Sequence, residues 1–220
     1  MTMTPNYERA ATKALEILIE NGINTTPIIP LPVLKRMKGV GVLSFTEMSN
    51  MSDVDRQKLI SMLGGSLDAI TIHTDHPKTK YVIGYNQRVP FYMLQRGLAR
   101  ELGHIVLGHN GSRLPEEIRM EEAFCFSHHF LCPRPLIRAV QESGIPFTVE
   151  VLGNMTGCYE QCLSGMRILP GIKVPAELNR KVKEQFQNCL TDFIELQKYL
   201  SKSEHSALAD FGTYMDYYEE

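Results

Sequence analysis

The sequence predicts an α+β fold. It is mostly helical, with a small β-sheet of three or so strands, including a hairpin, ahead of a central helix, and then an all-helical C-terminal part. Three observations carry that prediction. Apolar residues recur at helical spacing over most of the chain. Strand-like runs rich in β-branched and apolar residues occur before the central helix and are bounded by turn-forming residues. The 43% hydrophobic and 22% charged content matches globular chains that fill a core, which sets aside the disordered and membrane classes.

Each element has a local reason. Ala10, Ala14, Leu15, Leu18 and Ile19 fall on one helical face, and Asn21-Gly22 ends that helix. Three prolines then break INTTPIIPLPVLKRMKG, leaving room for a short helix near 32–38. VGVLSF reads as a strand. Ser52 with Asp55 resembles a capping box opening a helix over 53–63, closed by Gly64-Gly65. LDAITIHT and KYVIGYN flank the turn-forming DHPKT, which predicts a hairpin with His73 to His76 at its tip. Pro90 can open the next helix, expected to run to about His109, and residues 116–131 form another, stopped by CPRP. Helices over 135–143, 148–156 and 158–168 follow, and then a long one from Pro175 to about Lys202. In that last helix Val182, Phe186, Cys189, Phe193, Leu196 and Leu200 make one apolar stripe, which suits packing on the domain. The same a/d-like spacing also suits a homodimer seam. The expected organisation is one domain over 1–170, with 171–220 as the long helix and an acidic tail packed on the domain or on a partner.

Composition narrows the function. A net charge of −2 gives no bulk attraction to nucleic acid or anionic lipid, so neither direct nucleic-acid binding nor membrane association is expected. The N-terminal stretch lacks the layout of a secretory signal, and no apolar run is long enough to span a bilayer. The five cysteines, Cys125, Cys132, Cys158, Cys162 and Cys189, read as reduced, buried thiols. The expected location is cytoplasmic.

The chemistry concentrates in RGLARELGHIVLGH, residues 96–109. A zinc-protease helix reads H-E-x-x-H, because histidines four apart project from one face and converge on one metal. The glutamate after the first histidine lies where it can take a proton from metal-bound water. Here Arg100 stands at the first position, followed by Glu101 and His104. The next helix, with EEAFCFSHHFLCP over 121–133, offers Glu121 and Glu122 where a third ligand would come from.

RELGHIVLGH, with Glu122-Ala123, Phe126 and Phe130-Leu131-Cys132-Pro133 in register behind it, resembles the ImmA/IrrE family of metallopeptidases. The resemblance covers roughly residues 7–170. It implies a zincin-like domain with a glutamate as third ligand, and an action on DNA-binding repressors of mobile elements or stress responses. Residue by residue, it implies Glu101 as general base, His104 as a metal ligand, and Glu122, or Glu121 one step off, as the other.

Arginine has no lone pair for a metal and brings a permanent charge. At ~4 Å and an effective dielectric of ~20, two unit charges interact by about 4 kcal/mol, and a dication would feel about twice that. The expectation is therefore a degenerate, metal-free site in which Arg100 pairs with Glu122 and with Glu101. The protein would then be a catalytically inactive regulator binding a repressor-like protein. The alternative is an active zinc endopeptidase with Glu101 as base and a rearranged ligand set. For that set His129 is a candidate, since it shares a helix face with Glu122 and Cys125. His109 is expected to point elsewhere, and His128 and His129 are expected at the surface or half-buried.

Overall fold

The computed structural model describes residues 3–52, 55–62, 68–146, 148–157 and 171–215, with side chains described up to residue 201. Helices α1 (Tyr7–Glu20) and α2 (Pro30–Arg36) lead into strand β1 (Val40–Ser44). Two short helices, α3 (Phe45–Ser52) and α4 (Arg56–Met62), precede strands β2 (Ala69–His76) and β3 (Thr79–Tyr85). The helices α5 (Phe91–Val106), α6 (Glu116–Leu131), α7 (Arg134–Glu142) and α8 (Val149–Thr156) follow. The C-terminal helices are α9 (Ala176–Gln185) and α10 (Gln187–Met215). The α+β class and the small sheet ahead of the central helix stand as expected.

The strands order β1-β3-β2, with β1 parallel to β3 and β2 antiparallel to it. This leaves β2 at an edge. The hairpin has the expected position, although β2 continues through His76 before the turn. One helix was not foreseen: α3 starts directly after β1. Its signal is a capping box one turn long, in which Glu47 Oε2 accepts the Ser44 N–H at 2.6 Å and Ser44 Oγ accepts the Glu47 N–H at 3.1 Å. Ser52, expected to open the following helix, is instead the last residue of α3, with its hydroxyl donating to the Met48 carbonyl at 2.7 Å. Helix α4 starts at Arg56 behind Asp55, whose Oδ1 accepts the Gln57 N–H at 2.7 Å.

The core is built around α6. From Ala123 to Leu131 that helix is buried apart from half-covered Phe124. Small side chains let its neighbours come close. Helix α1 presents Ala10, Ala11 and Ala14, all at 0% exposure, with Leu15 and Leu18 beside them. Helix α5 presents Gly103, where an added Cβ would lie 3.0 Å from the Phe126 ring. That glycine sets how near the motif helix sits to the helix carrying Glu122.

The C-terminal stripe divides. Val182 and Phe186 are fully buried and Leu190 nearly so, whereas Leu196 and Leu200 are exposed. The single long helix expected there is interrupted at Phe186. The helix expected over 158–168, with Cys158 and Cys162, lies outside the described residues. No helix among the described residues is long and apolar enough to cross a membrane.

Candidate functional site

Helix α5 carries the near-motif, and its register decides which side chains meet. Arg100, Glu101 and His104 line a cleft of about 450 Å3 with Ala69 and Thr71 of the edge strand β2 and Arg119 of α6. Two separate clusters form there.

The first is an ion-pair cage on the sheet side. The Arg100 guanidinium donates to both carboxylate oxygens of Asp68, at 3.3 and 3.1 Å, and to the Ala69 carbonyl at 2.9 Å. It also donates twice to Glu101 Oε1, from Nε at 3.1 Å and Nη2 at 2.9 Å. Glu101 Oε2 accepts the Thr71 hydroxyl at 2.7 Å. Burial alone would weaken the charge on Arg100, but the carboxylates of Glu101 and Asp68 outweigh it and raise its pKa. Burial pushes Glu101 above its ordinary value, against the pull of Arg100 and Thr71. Room for Asp68 comes from Gly97, one turn before Arg100. A Cβ there would lie 2.8 Å from the Asp68 carboxyl carbon.

The second cluster is an imidazole bridge on the helix side. His109 Nε2 lies 2.9 Å from Glu122 Oε2, and His109 Nδ1 lies 3.0 Å from His104 Nδ1. A carboxylate accepts, so His109 carries its proton on Nε2 and takes one from His104 on Nδ1. Both rings are neutral. Burial pulls His104 from 6.5 down to about 4, helped by His109 and Arg100, and burial also lowers His109. The other oxygen of Glu122 accepts the Asn6 backbone N–H at 2.8 Å, at the start of α1.

These contacts correct two expectations. Arg100 pairs with Glu101 as expected, but its second partner is Asp68 and not Glu122. His109 does not point elsewhere; it is the fully buried link between the other two residues. The reason is the end of α5. The helix stops at Val106, and Gly108 takes the left-handed conformation at φ 68°. Gly108 N–H then bonds to the Ile105 carbonyl at 3.1 Å, and His109 N–H to the His104 carbonyl at 2.9 Å. This Schellman turn brings the residue after the glycine against the third from the helix end, and those residues are His109 and His104.

The remaining candidates fall elsewhere. Glu121 is exposed and accepts the Tyr7 hydroxyl, so Glu122 is the buried carboxylate of the pair. His128 and His129 are 4% and 1% exposed, not at the surface. His129 donates from Nδ1 to the Cys125 carbonyl at 3.0 Å, apart from the His104 cluster. Among the described residues, no group of three or more His, Cys, Asp or Glu is arranged to hold a metal ion.

Zinc requires lone pairs converging on one point. The two nitrogens of His109 face different neighbours, Glu122 is held by His109 and by the Asn6 N–H, and Glu101 is held by Arg100 and Thr71. In this arrangement the residues do not fit a zinc ion.

Helix-borne Glu101 and His104, a second helix bearing Glu122, and an edge strand beside them resemble the layout of a zincin-like domain. Residues 64–153 match the family model described as Peptidase_M78, IrrE N-terminal-like domain, so this stretch is similar to the ImmA/IrrE family. No curated protein and no solved structure matches the chain significantly.

Proposed function

We propose that this protein is a catalytically inactive ImmA/IrrE-type regulator whose cleft binds a repressor-like protein without cutting it. The observation that carries this reading is the double engagement of the site. Arg100 stands in the first-ligand position inside an ion-pair cage, while His109 joins His104 to Glu122. A general base needs a free lone pair facing its proton, and Glu101 has both oxygens in hydrogen bonds to its own chain.

The cleft wall still offers hydrogen bonds to a partner. Arg119 Nε and Asn110 Nδ2 are buried there and have no partner in the protein. A carbonyl or carboxylate from a bound chain would satisfy them, and leaving such donors unpaired costs about 1–3 kcal/mol each.

Metal content of the purified protein beside Arg100→His tests this reading. Substoichiometric zinc in the native chain, with about one zinc per chain in the variant, supports a site disarmed by Arg100. Absence of zinc from both supports a cleft kept for binding. Stoichiometric zinc in the native chain, with peptidase activity that is lost in Glu101→Gln while the zinc is kept, would overturn it in favour of an active endopeptidase with Glu101 as base.

A further inference from the structure

Given the binding role proposed for it, the cleft also specifies the group that a partner presents. His104, Asn110 and Arg119 on its wall each keep an open hydrogen-bonding position. For His104 this follows from the imidazole bridge. Glu122 accepts from His109 Nε2, so His109 Nδ1 accepts in turn from His104 Nδ1. A neutral imidazole carries one proton, so His104 Nε2 presents a lone pair. With Nδ1 turned to His109, that lone pair is the position the ring has left for the cleft it lines. The other two residues offer donors. Arg119 Nε and Asn110 Nδ2 are buried in the same lining and have no hydrogen-bond partner in the protein.

Few chemical groups complete this set. A carboxylate accepts from Arg119 and Asn110 but gives no proton to His104, and it brings a second carboxylate beside Glu101. An ammonium group donates to His104 and leaves both donors unpaired. A hydroxyl would have to gather all three partners at one oxygen. The three residues come from α5, from the loop behind it and from α6, which suits a group with its donor and acceptor on separate atoms. A primary carboxamide is such a group: its oxygen has two lone pairs and its nitrogen carries two protons.

The edge strand indicates how the carboxamide arrives. Ala69, Ile70 and Thr71 of β2 line the cleft opposite α6, and an extended segment can lie along that edge. Its backbone stays at the level of the strand, whereas the open donors are buried, so a side-chain stem is needed to reach them. We infer that the cleft receives a glutamine or asparagine side chain from an extended segment of the partner protein. Its carbonyl accepts from Arg119 and Asn110, and its amide donates to His104 Nε2.

Nitrogen-15 NMR of the histidine rings, with the full chain titrated by short capped peptides, tests this. The peptides share the sequence Thr-Val-X-Val-Thr, with acetyl and N-methylamide ends, and X is Gln, Asn, Glu, Met or Ser. The Gln or the Asn peptide should move the His104 Nε2 signal saturably, and bind at least about tenfold more tightly than the Glu, Met and Ser peptides. Arg119→Met should abolish that preference, with thermal melts checking that the variant folds. Equal affinity across the peptides, no movement of His104, or a preference unchanged in Arg119→Met would overturn the carboxamide. Mass spectrometry of the recovered peptide keeps the two readings apart. A cut peptide would overturn the inactive cleft, while the carboxamide stands or falls on the affinities alone.

Discussion

On the sheet side of the cleft, Arg100 sits between Asp68 and Glu101; on the helix side, His109 sits between His104 and Glu122. Both clusters occupy ground where a metalloprotease would gather its ligands and base, and they use different chemistry. The first is a permanent ion pair, because arginine does not lose its proton in the accessible range. The second is a neutral chain of imidazoles on one carboxylate, and it titrates. The difference separates what is fixed from what can change. The cage holds β2 against α5 under all ordinary conditions, whereas the bridge is held only while its histidines stay neutral.

Breaking the cage should have the largest effect. Arg100→Met leaves Asp68 and Glu101 buried without their shared cation, and the expected loss of stability is about 3–5 kcal/mol, read by urea unfolding. An unchanged midpoint would mean that the cage contributes nothing. Cutting the bridge should cost less. His109→Ala removes a fully buried ring and two hydrogen bonds, for an expected loss of about 2–4 kcal/mol in the same measurement.

A smaller perturbation sharpens the comparison from the other side. Gly97→Ala places a methyl group against the Asp68 carboxyl, so the cage must shift at a cost of about 1–3 kcal/mol. The imidazole NMR signals of His104 and His109 should stay in place if the two clusters are independent.

Acidification gives the smallest effect per step. His104 has its folded pKa depressed from 6.5 to about 4, so the unfolded chain binds more protons between those values. Stability is therefore fully present above pH 6.5 and falls as the pH drops towards about 4, by about 1 kcal/mol per pH unit for each such histidine. Thermal melts across this window should show a shallower slope in His109→Ala than in the native chain. Equal slopes would place the acid sensitivity in His128 and His129, which burial depresses to about 3 and about 4.

Much of this is legible in the sequence. The hairpin, the motif helix and the helix over 116–131 follow from local periodicity and from Pro, Gly and Asn signals, which act over a few residues. Arg100 as the departure from the metal motif was equally plain. Its real partner was not, because Asp68 is 32 residues away and joins it only through the packing of β2 on α5. Gly97 was the available hint, a residue without a side chain one turn from a buried cation. The position of His109 turns on a local signal. Helical periodicity continues through Gly108, but a glycine near a helix end commonly takes the left-handed turn that folds the next residue back, as Gly108 does. The full burial of His128 and His129 required knowing that α1, with its alanines, closes over α6.

If the cleft is inactive as proposed, the His104–His109–Glu122 bridge should not open for zinc. Nitrogen-15 NMR of the histidine rings, recorded with and without added zinc near neutral pH, tests that most directly. The expected result is His104 protonated on Nδ1 and His109 on Nε2, with neither signal moving when zinc is added. Movement of both rings to metal-bound positions at stoichiometric zinc would contradict it.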